Sequence, residues 1–411
     1  MHSIASANFI LVPMDENQKN HLKAYGLTYW VLANEREADW LLNYRGGSFA
    51  FADELSIQKE LKIRGISFEI LTTSQYNKVL GIIEKADVNQ AVMKLEKAPR
   101  VAVYSPKNKQ PWDDAVTLAM TYAEVPYSVV YDEEIVSGDL ANYDWLHLHH
   151  EDFTGQYGKF WYNYRNAPWF KEYVRFNESL AAKLGFSKVS DLKLGVALNI
   201  KNYVFNGGFM FAMCAATDSY DIALAAELVD VCLPMFDGDP ADPSAQEKLD
   251  YTKGFAFQDY ELVMNPAEYE FSSIDGTPDH SKLVGASGIK NDVFTLFDFS
   301  AKWDPVPTML CQNHESIIKG FMGQTTSYRK QFLKPEVLVL GETKSIGTAR
   351  YIHGKYGQGT WTFYGGHDPE DHTHRVSDPP TDLNLHPNSP GYRLILNNVL
   401  FPAAKKKKRK T

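Results

Sequence analysis

Gly207-Gly208-Phe209-Met210-Phe211-Ala212-Met213-Cys214 sets two glycines before a short apolar run and a cysteine after it. A run of this length, bounded this way, reads as a strand buried on both faces, the kind found inside a parallel sheet. Residues 221–229 then turn helical, with Ile222, Ala225, Ala226 and Val229 on one face. A strand that feeds a helix is the repeating step of a parallel α/β sheet. It places Cys214 at the carboxyl end of the strand, where such sheets hold ligands and nucleophiles. A thiol there is open to activation by a nearby base. The bland alternative is a small buried hydrophobe, a common fate of free cysteine.

The rest of the chain repeats the step. Phe9 to Pro13 predicts a first strand. Residues 27–32 and 39–44 flank the polar turn Asn34-Glu35-Arg36-Glu37 and predict a β-hairpin. Asp53 to Arg64 and Ser74 to Glu84 read as helices around a strand at Ser67 to Leu71. Residues 8–97 therefore form a small α/β unit, with a seam at Glu96-Lys97-Ala98-Pro99. Beyond it, strands at Val101–Tyr104, Tyr127–Tyr131 and Tyr143–His149 alternate with a helix that opens at Pro111-Trp112-Asp113-Asp114. Helices follow at Trp169–Leu184 and Leu194–Asn206. Residues 234–292 are rich in Asp, Pro, Gly and Ser and read as a turn-rich insertion; Asp237–Asp242 lacks the spacing of a calcium loop. Strands resume at Phe294–Phe299, Val337–Leu340 and Thr360–Tyr364, and Gly391–Leu400 closes residues 98–402 as a helix. The chain carries no internal repeat. The expected class is α/β, with a doubly wound, mainly parallel sheet and a smaller N-terminal α/β unit.

Charge and cysteine content exclude several functions. The net charge of −9 includes the basic run Lys405–Lys410, so the body is more acidic still and offers no nucleic-acid surface. Residues 403–411 read as a basic, disordered tail. Three cysteines, Cys214, Cys232 and Cys311, with no C-x-x-C pair, exclude a disulfide scaffold and a zinc ribbon. No apolar run reaches the ~18 residues of a membrane span. Ala5-Ser6-Ala7 has the A-x-A form of a signal-peptidase site just before the first strand, which points to export; without such processing the protein would stay cytoplasmic.

Polar clusters mark the mouth of the sheet. Trp145, His147 and His149 share one face of the third strand of the larger domain, and His150, Glu151 and Asp152 lie at its end. Histidines beside acids bind zinc or iron, but such runs also form hydrogen-bonded loops. No second ligand cluster is set by spacing, so the residues themselves predict neither metal nor cofactor. The last strand ends in Gly365-Gly366-His367-Asp368-Pro369-Glu370, followed by His372, His374 and His386.

These segments carry a resemblance. The strand-Cys-helix at 207–221 resembles the nucleophile elbow of class I glutamine amidotransferases. Lys355-Tyr356-Gly357-Gln358-Gly359-Thr360-Trp361-Thr362-Phe363-Tyr364-Gly365-Gly366-His367-Asp368 resembles the closing stretch of trehalose-utilisation (ThuA-like) proteins. Both imply a flavodoxin-like sheet over residues 98–402. Across nearly its whole length, including Val12-Pro13-Met14-Asp15 and Asn20–Gly26, the chain also resembles a bacterial family commonly labelled asparagine synthetase B. Its residues do not fit that activity. Position 2 is His, not the cysteine nucleophile of such synthetases, and no Ser-Gly-Gly-x-Asp loop is present to hold pyrophosphate.

The resemblance implies a thiol amide hydrolase acting on glutamine or another small amide. In it Cys214 attacks, His367 is base and then acid, and Glu370 or Asp368 fixes the imidazole. Ala212 and Ala216 stand where the family has glycines. Two alternatives share the scaffold. One is a non-catalytic binder of a carbohydrate-type small molecule through His149, His150, Glu151, His367 and the aromatic residues. The other is a metal-dependent hydrolase using His149, His150, Glu151 and a histidine from 367–374.

Overall fold

The computed structural model describes residues 8–107, 113–310 and 315–404. Ala5–Ala7, Pro111, Trp112, Cys311 and the basic run at 405–410 lie outside them. The molecule is mixed α/β, with two sheets. The smaller sheet has strands β1 (Asn8–Val12), β2 (Ala38–Leu42), β3 (Ser48–Ala52), β4 (Glu69–Thr72) and β5 (Ala91–Leu95) in the order β4-β1-β3-β2-β5, every neighbouring pair antiparallel.

The larger sheet contains β6 (Val101–Tyr104), β7 (Ser128–Val130), β8 (Trp145–Leu148), β9 (Phe209–Met213), β10 (Val293–Leu296), β11 (Ile317–Lys319), β12 (Tyr328–Arg329), β13 (Leu338–Thr343), β14 (Thr348–Tyr356) and β15 (Gly359–Tyr364). Its main path runs β11-β10-β13-β14-β15-β9-β8-β6-β7, with β12 on β14. The five strands from β15 to β7 are mutually parallel, and the rest pair antiparallel. The sheet is therefore mixed.

Alternation along each strand divides the cores. Val101, Val103, Phe209, Phe211 and Met213 face helices His21–Ala33, Ala115–Ala123 and Pro390–Leu400, which also cover Ile10, Trp40 and Phe49 of the smaller sheet. Ala102, Leu146, Leu148, Met210 and Ala212 face the opposite layer, built from helices Pro168–Lys183, Val189–Phe205 and Asp218–Ala225. One layer of helices thus belongs to both sheets. Within it, a Cβ on Gly26 would lie 1.6 Å from the Ala123 carbonyl oxygen, so only glycine lets these two helices meet.

The hairpin expected over 27–44 is not formed. Residues His21–Ala33 are a helix, capped by Asn20, whose side chain accepts the Lys23 N–H. Ten of its thirteen residues are buried. A helix covered on all sides has no polar face, so its sequence lacks the helical period, and Thr28, Tyr29, Trp30 and Val31 imitate a strand. Other expected elements appear with shifted ends: the helix at Leu194–Asn206 begins at Val189, and the strand at Phe294–Phe299 stops at Leu296. The insertion at 234–292 is short helices and turns, plus a helix at Thr277–Ser287. Asp221 anchors it by accepting the backbone N–H groups of Phe255, Ala256 and Phe257.

Candidate functional site: a histidine cluster at the strand ends

The loops after β6, β8 and β15 bring their polar residues together at one edge of the sheet. Asp114 caps helix Ala115–Ala123: its Oδ1 accepts the N–H groups of Val116 and Thr117, both at 2.8 Å. Its Oδ2 lies 2.9 Å from His147 Nε2 and 3.0 Å from His149 Nδ1. His147 Nδ1 lies 3.2 Å from the Phe211 carbonyl, so both its nitrogens are committed. Burial works to raise the Asp114 carboxyl, but the His147 and His149 rings hold it well below the usual carboxylate range.

Three imidazoles converge. The ligand nitrogens of His149, His150 and His367 all lie within 4.8 Å of one another. His150 Nε2 and His367 Nε2 are 3.2 Å apart, and His150 Nε2 also lies 2.6 Å from the Asp113 carbonyl oxygen. His149 Nε2 and His367 Nδ1 are buried without a hydrogen-bond partner. The His149 and His150 rings stack at 3.8 Å between centroids. Burial, followed by the neighbouring imidazoles, pushes His150 and His367 well below the ordinary histidine range, so both are neutral. Neutral imidazoles are what a cation requires of its nitrogen ligands. The His374 ring stacks on His367 at 4.5 Å and an interplanar angle of 10°. The Asp113 carboxylate beside it pushes His374 up to about 9.

Cys214 does end a strand, and it is a left-handed residue, φ 53°, at a sharp turn before helix Asp218–Ala225. The flanking alanines do not prevent this conformation. Its Sγ accepts the Gln324 N–H at 3.4 Å, and burial pushes the thiol up to about 11. No hydrogen bond joins it to His367 among the described residues. Backbone links them instead: Met322 accepts the His367 N–H at 3.1 Å, and Thr325 accepts the Gly366 N–H at 2.8 Å.

The acids expected beside His367 are placed elsewhere. Glu370 lies 3.3 Å from His386 Nδ1 and 3.6 Å from Lys319 Nζ. Asp368 builds the turn, accepting the N–H groups of Glu370 and Asp371 and the Thr381 hydroxyl. Glu151 is buried with Lys193, Tyr131 and Tyr173, residues of the opposite layer. Of the seven expected site residues, the structure gathers His149, His150 and His367. It adds Asp113, Asp114, His147 and His374. The two aspartates read in the sequence as first-turn helix acids, and only the pairing of β6 with β8 shows that they meet the histidines.

No protein-family model matches the chain, and no curated protein matches it in sequence. Among solved structures, the Cytoplasmic Protein STM3548 from Salmonella typhimurium is similar over 75% of this chain and 100% of its own, at 11% identity and a TM-score of 0.33. The Cytoplasmic Protein STM1381 from Salmonella typhimurium LT2 covers 74% and 100%, at 11% identity and a TM-score of 0.32. A beta-galactosidase from Bacillus circulans sp. alkalophilus covers 67% of this chain and 29% of its own, at 10% identity and a TM-score of 0.27. Likenesses at these scores carry neither a fold nor a function to this chain.

Proposed function

We propose that this protein is a metal-dependent hydrolase, with a divalent cation held by His149, His150 and His367 on a flavodoxin-like, doubly wound sheet. The strand order supports the fold reading. Numbered within the parallel set, β7-β6-β8-β9-β15 is the order 2-1-3-4-5, whose ligands bind where the strand order reverses. That point lies between β6 and β8, the strands that carry Asp113, Asp114, His149 and His150.

The observation that carries the chemistry is the convergence of His149, His150 and His367, whose ligand nitrogens all lie within 4.8 Å of one another. Three protein ligands leave a fourth position for water. A cation there would lower the pKa of bound water and polarise a carbonyl or phosphoryl oxygen. Asp114 Oδ2, 3.0 Å from His149 Nδ1, would accept the Nδ1–H with the ion bound, keeping the proton there and leaving Nε2 for the ion.

Protein purified without chelator should carry at least one equivalent of zinc, iron or manganese by elemental analysis. Chelation should abolish hydrolysis across a panel of activated esters, amides and phosphate esters, and added metal should restore it. His150→Ala and His367→Ala should lose metal and activity together. Metal-free protein that takes up no added cation would end this reading.

A second reading, thiol-dependent amide hydrolysis, is favoured by the left-handed Cys214 at a strand-to-helix turn, the geometry of a nucleophile elbow. It requires covalent labelling of Cys214 by an electrophilic glutamine analogue and loss of labelling in Cys214→Ser. An unlabelled native protein excludes it.

A further inference from the structure

The histidine cluster extends past the three residues that define the first cation position. Asp113, His367 and His374 form a second triplet whose ligand atoms also lie within 4.8 Å of one another. His374 Nε2 and Asp113 Oδ1 are 2.6 Å apart, yet they lack the directionality of a hydrogen bond. Both carboxylate oxygens of Asp113 are buried without a hydrogen-bond partner. The His374 ring at 2.6 Å is the positive partner of this carboxylate while no metal is bound, and a divalent cation would take over that charge as His374 gives up its proton. A second acid orients His374: its Nδ1 lies 3.2 Å from Asp371 Oδ2, which turns Nε2 towards Asp113. A carboxylate behind a histidine is the usual way to aim the opposite nitrogen at a metal.

The two triplets share His367, and Asp113 touches both, since its backbone carbonyl lies against His150 Nε2. We infer that the site holds two divalent cations side by side, the second bound by Asp113 and His374 next to the one at His149, His150 and His367. This rests on the metal-dependent reading above. The donors differ in kind. The first position is all nitrogen, which suits zinc; the second adds a carboxylate, which also suits manganese. Asp113 would supply the carboxylate of the second position. Paired cations about 3.5–4 Å apart hold the attacking and leaving oxygens of a displacement at the same time, which favours a phosphate ester as substrate.

The test is the stoichiometry of the full chain, stripped with chelator and reloaded with Mn2+ or Zn2+. Two equivalents should remain after dialysis. The doubly loaded Mn2+ form should give the multi-line electron paramagnetic resonance spectrum of an exchange-coupled pair, a measurement that needs no variant. Asp113→Asn and His374→Ala should each bind one equivalent, show the spectrum of isolated Mn2+, and hydrolyse p-nitrophenyl phosphate at least tenfold more slowly. One uncoupled equivalent in the native protein overturns the second ion and leaves the first, making Asp113–His374 an ion pair. No bound metal at all overturns both proposals.

Discussion

Cys214 is the most conspicuous residue of the sequence, and its backbone fulfils the turn that position implies. Its side chain has a different setting. A left-handed non-glycine costs about 1–2 kcal/mol, a strain kept only where the surroundings fix it. Here the surroundings are the Gln324 N–H on Sγ, the Thr217 hydroxyl on the Cys214 carbonyl at 2.7 Å, and the strands on either side of β9. A buried thiol at about 11 is a protonated, unreactive one at neutral pH. Cys214→Ala should therefore keep metal content and hydrolysis within about twofold, and iodoacetamide should not modify the native thiol over hours. Rapid alkylation, or loss of activity in that variant, would favour the amide-hydrolase reading. Histidines are legible at this scale because their side-chain chemistry is rare; Asp113 and Asp114 are not, because a cap and a metal-site acid are the same residue type.

Among the elements, the loop that carries His367 and His374 owes its position to residues that the sequence hides in a featureless insertion. Asp292 ends that insertion, fully buried. It receives His280 Nδ1 at 2.9 Å, Arg350 at 3.2 Å and His372 Nε2 at 3.2 Å. Arg350 also donates to the Phe321 carbonyl, and the His372 carbonyl accepts the Met322 N–H at 2.7 Å. Burial raises the Asp292 carboxyl, but His280 and Arg350 outweigh it and bring it down to about 2. A carboxyl depressed in the folded state stabilises fully above its unfolded value and loses that contribution as pH falls through the folded one. Asp292→Asn should therefore cost about 2 kcal/mol near neutral pH. The gap from the native protein should close between about pH 4 and pH 2 in acid-denaturation curves. A constant gap across that range would remove the charge from the explanation. None of this is visible in a sequence window, because His280, Asp292, Arg350 and His372 are joined by topology alone. Element types are easier to read where one face is polar: helix Thr73–Ile83 shows its period plainly, whereas helix His21–Ala33, buried all round, does not.

For the whole molecule, the seam expected at residues 96–99 separates two sheets without separating two cores. Helices His21–Ala33, Ala115–Ala123 and Pro390–Leu400 pack against both. The chain should therefore melt in one calorimetric transition. Gly26→Ala, which drives a methyl group into the Ala123 carbonyl, should lower stability by about 3 kcal/mol while keeping a single transition. Two separated transitions in the native protein would show that the shared layer does not couple the sheets. Sequence pattern and charge predict the α/β class and an acidic body, but not this sharing. The helix that seals the layer, Pro390–Leu400, comes more than 300 residues after β1, β2 and β3 of the smaller sheet.

That distance has a consequence for biosynthesis. Arg393 donates to the Tyr25 hydroxyl at 3.0 Å and to the carbonyls of Met14 and Gly46, while Asn388 receives the His21 N–H at 2.8 Å. A nascent chain on the ribosome holds its first five strands long before Arg393 is translated. Until then the greasy side of that early sheet is covered only by helices His21–Ala33 and Ala115–Ala123, and the polypeptide should clump more readily than the finished chain.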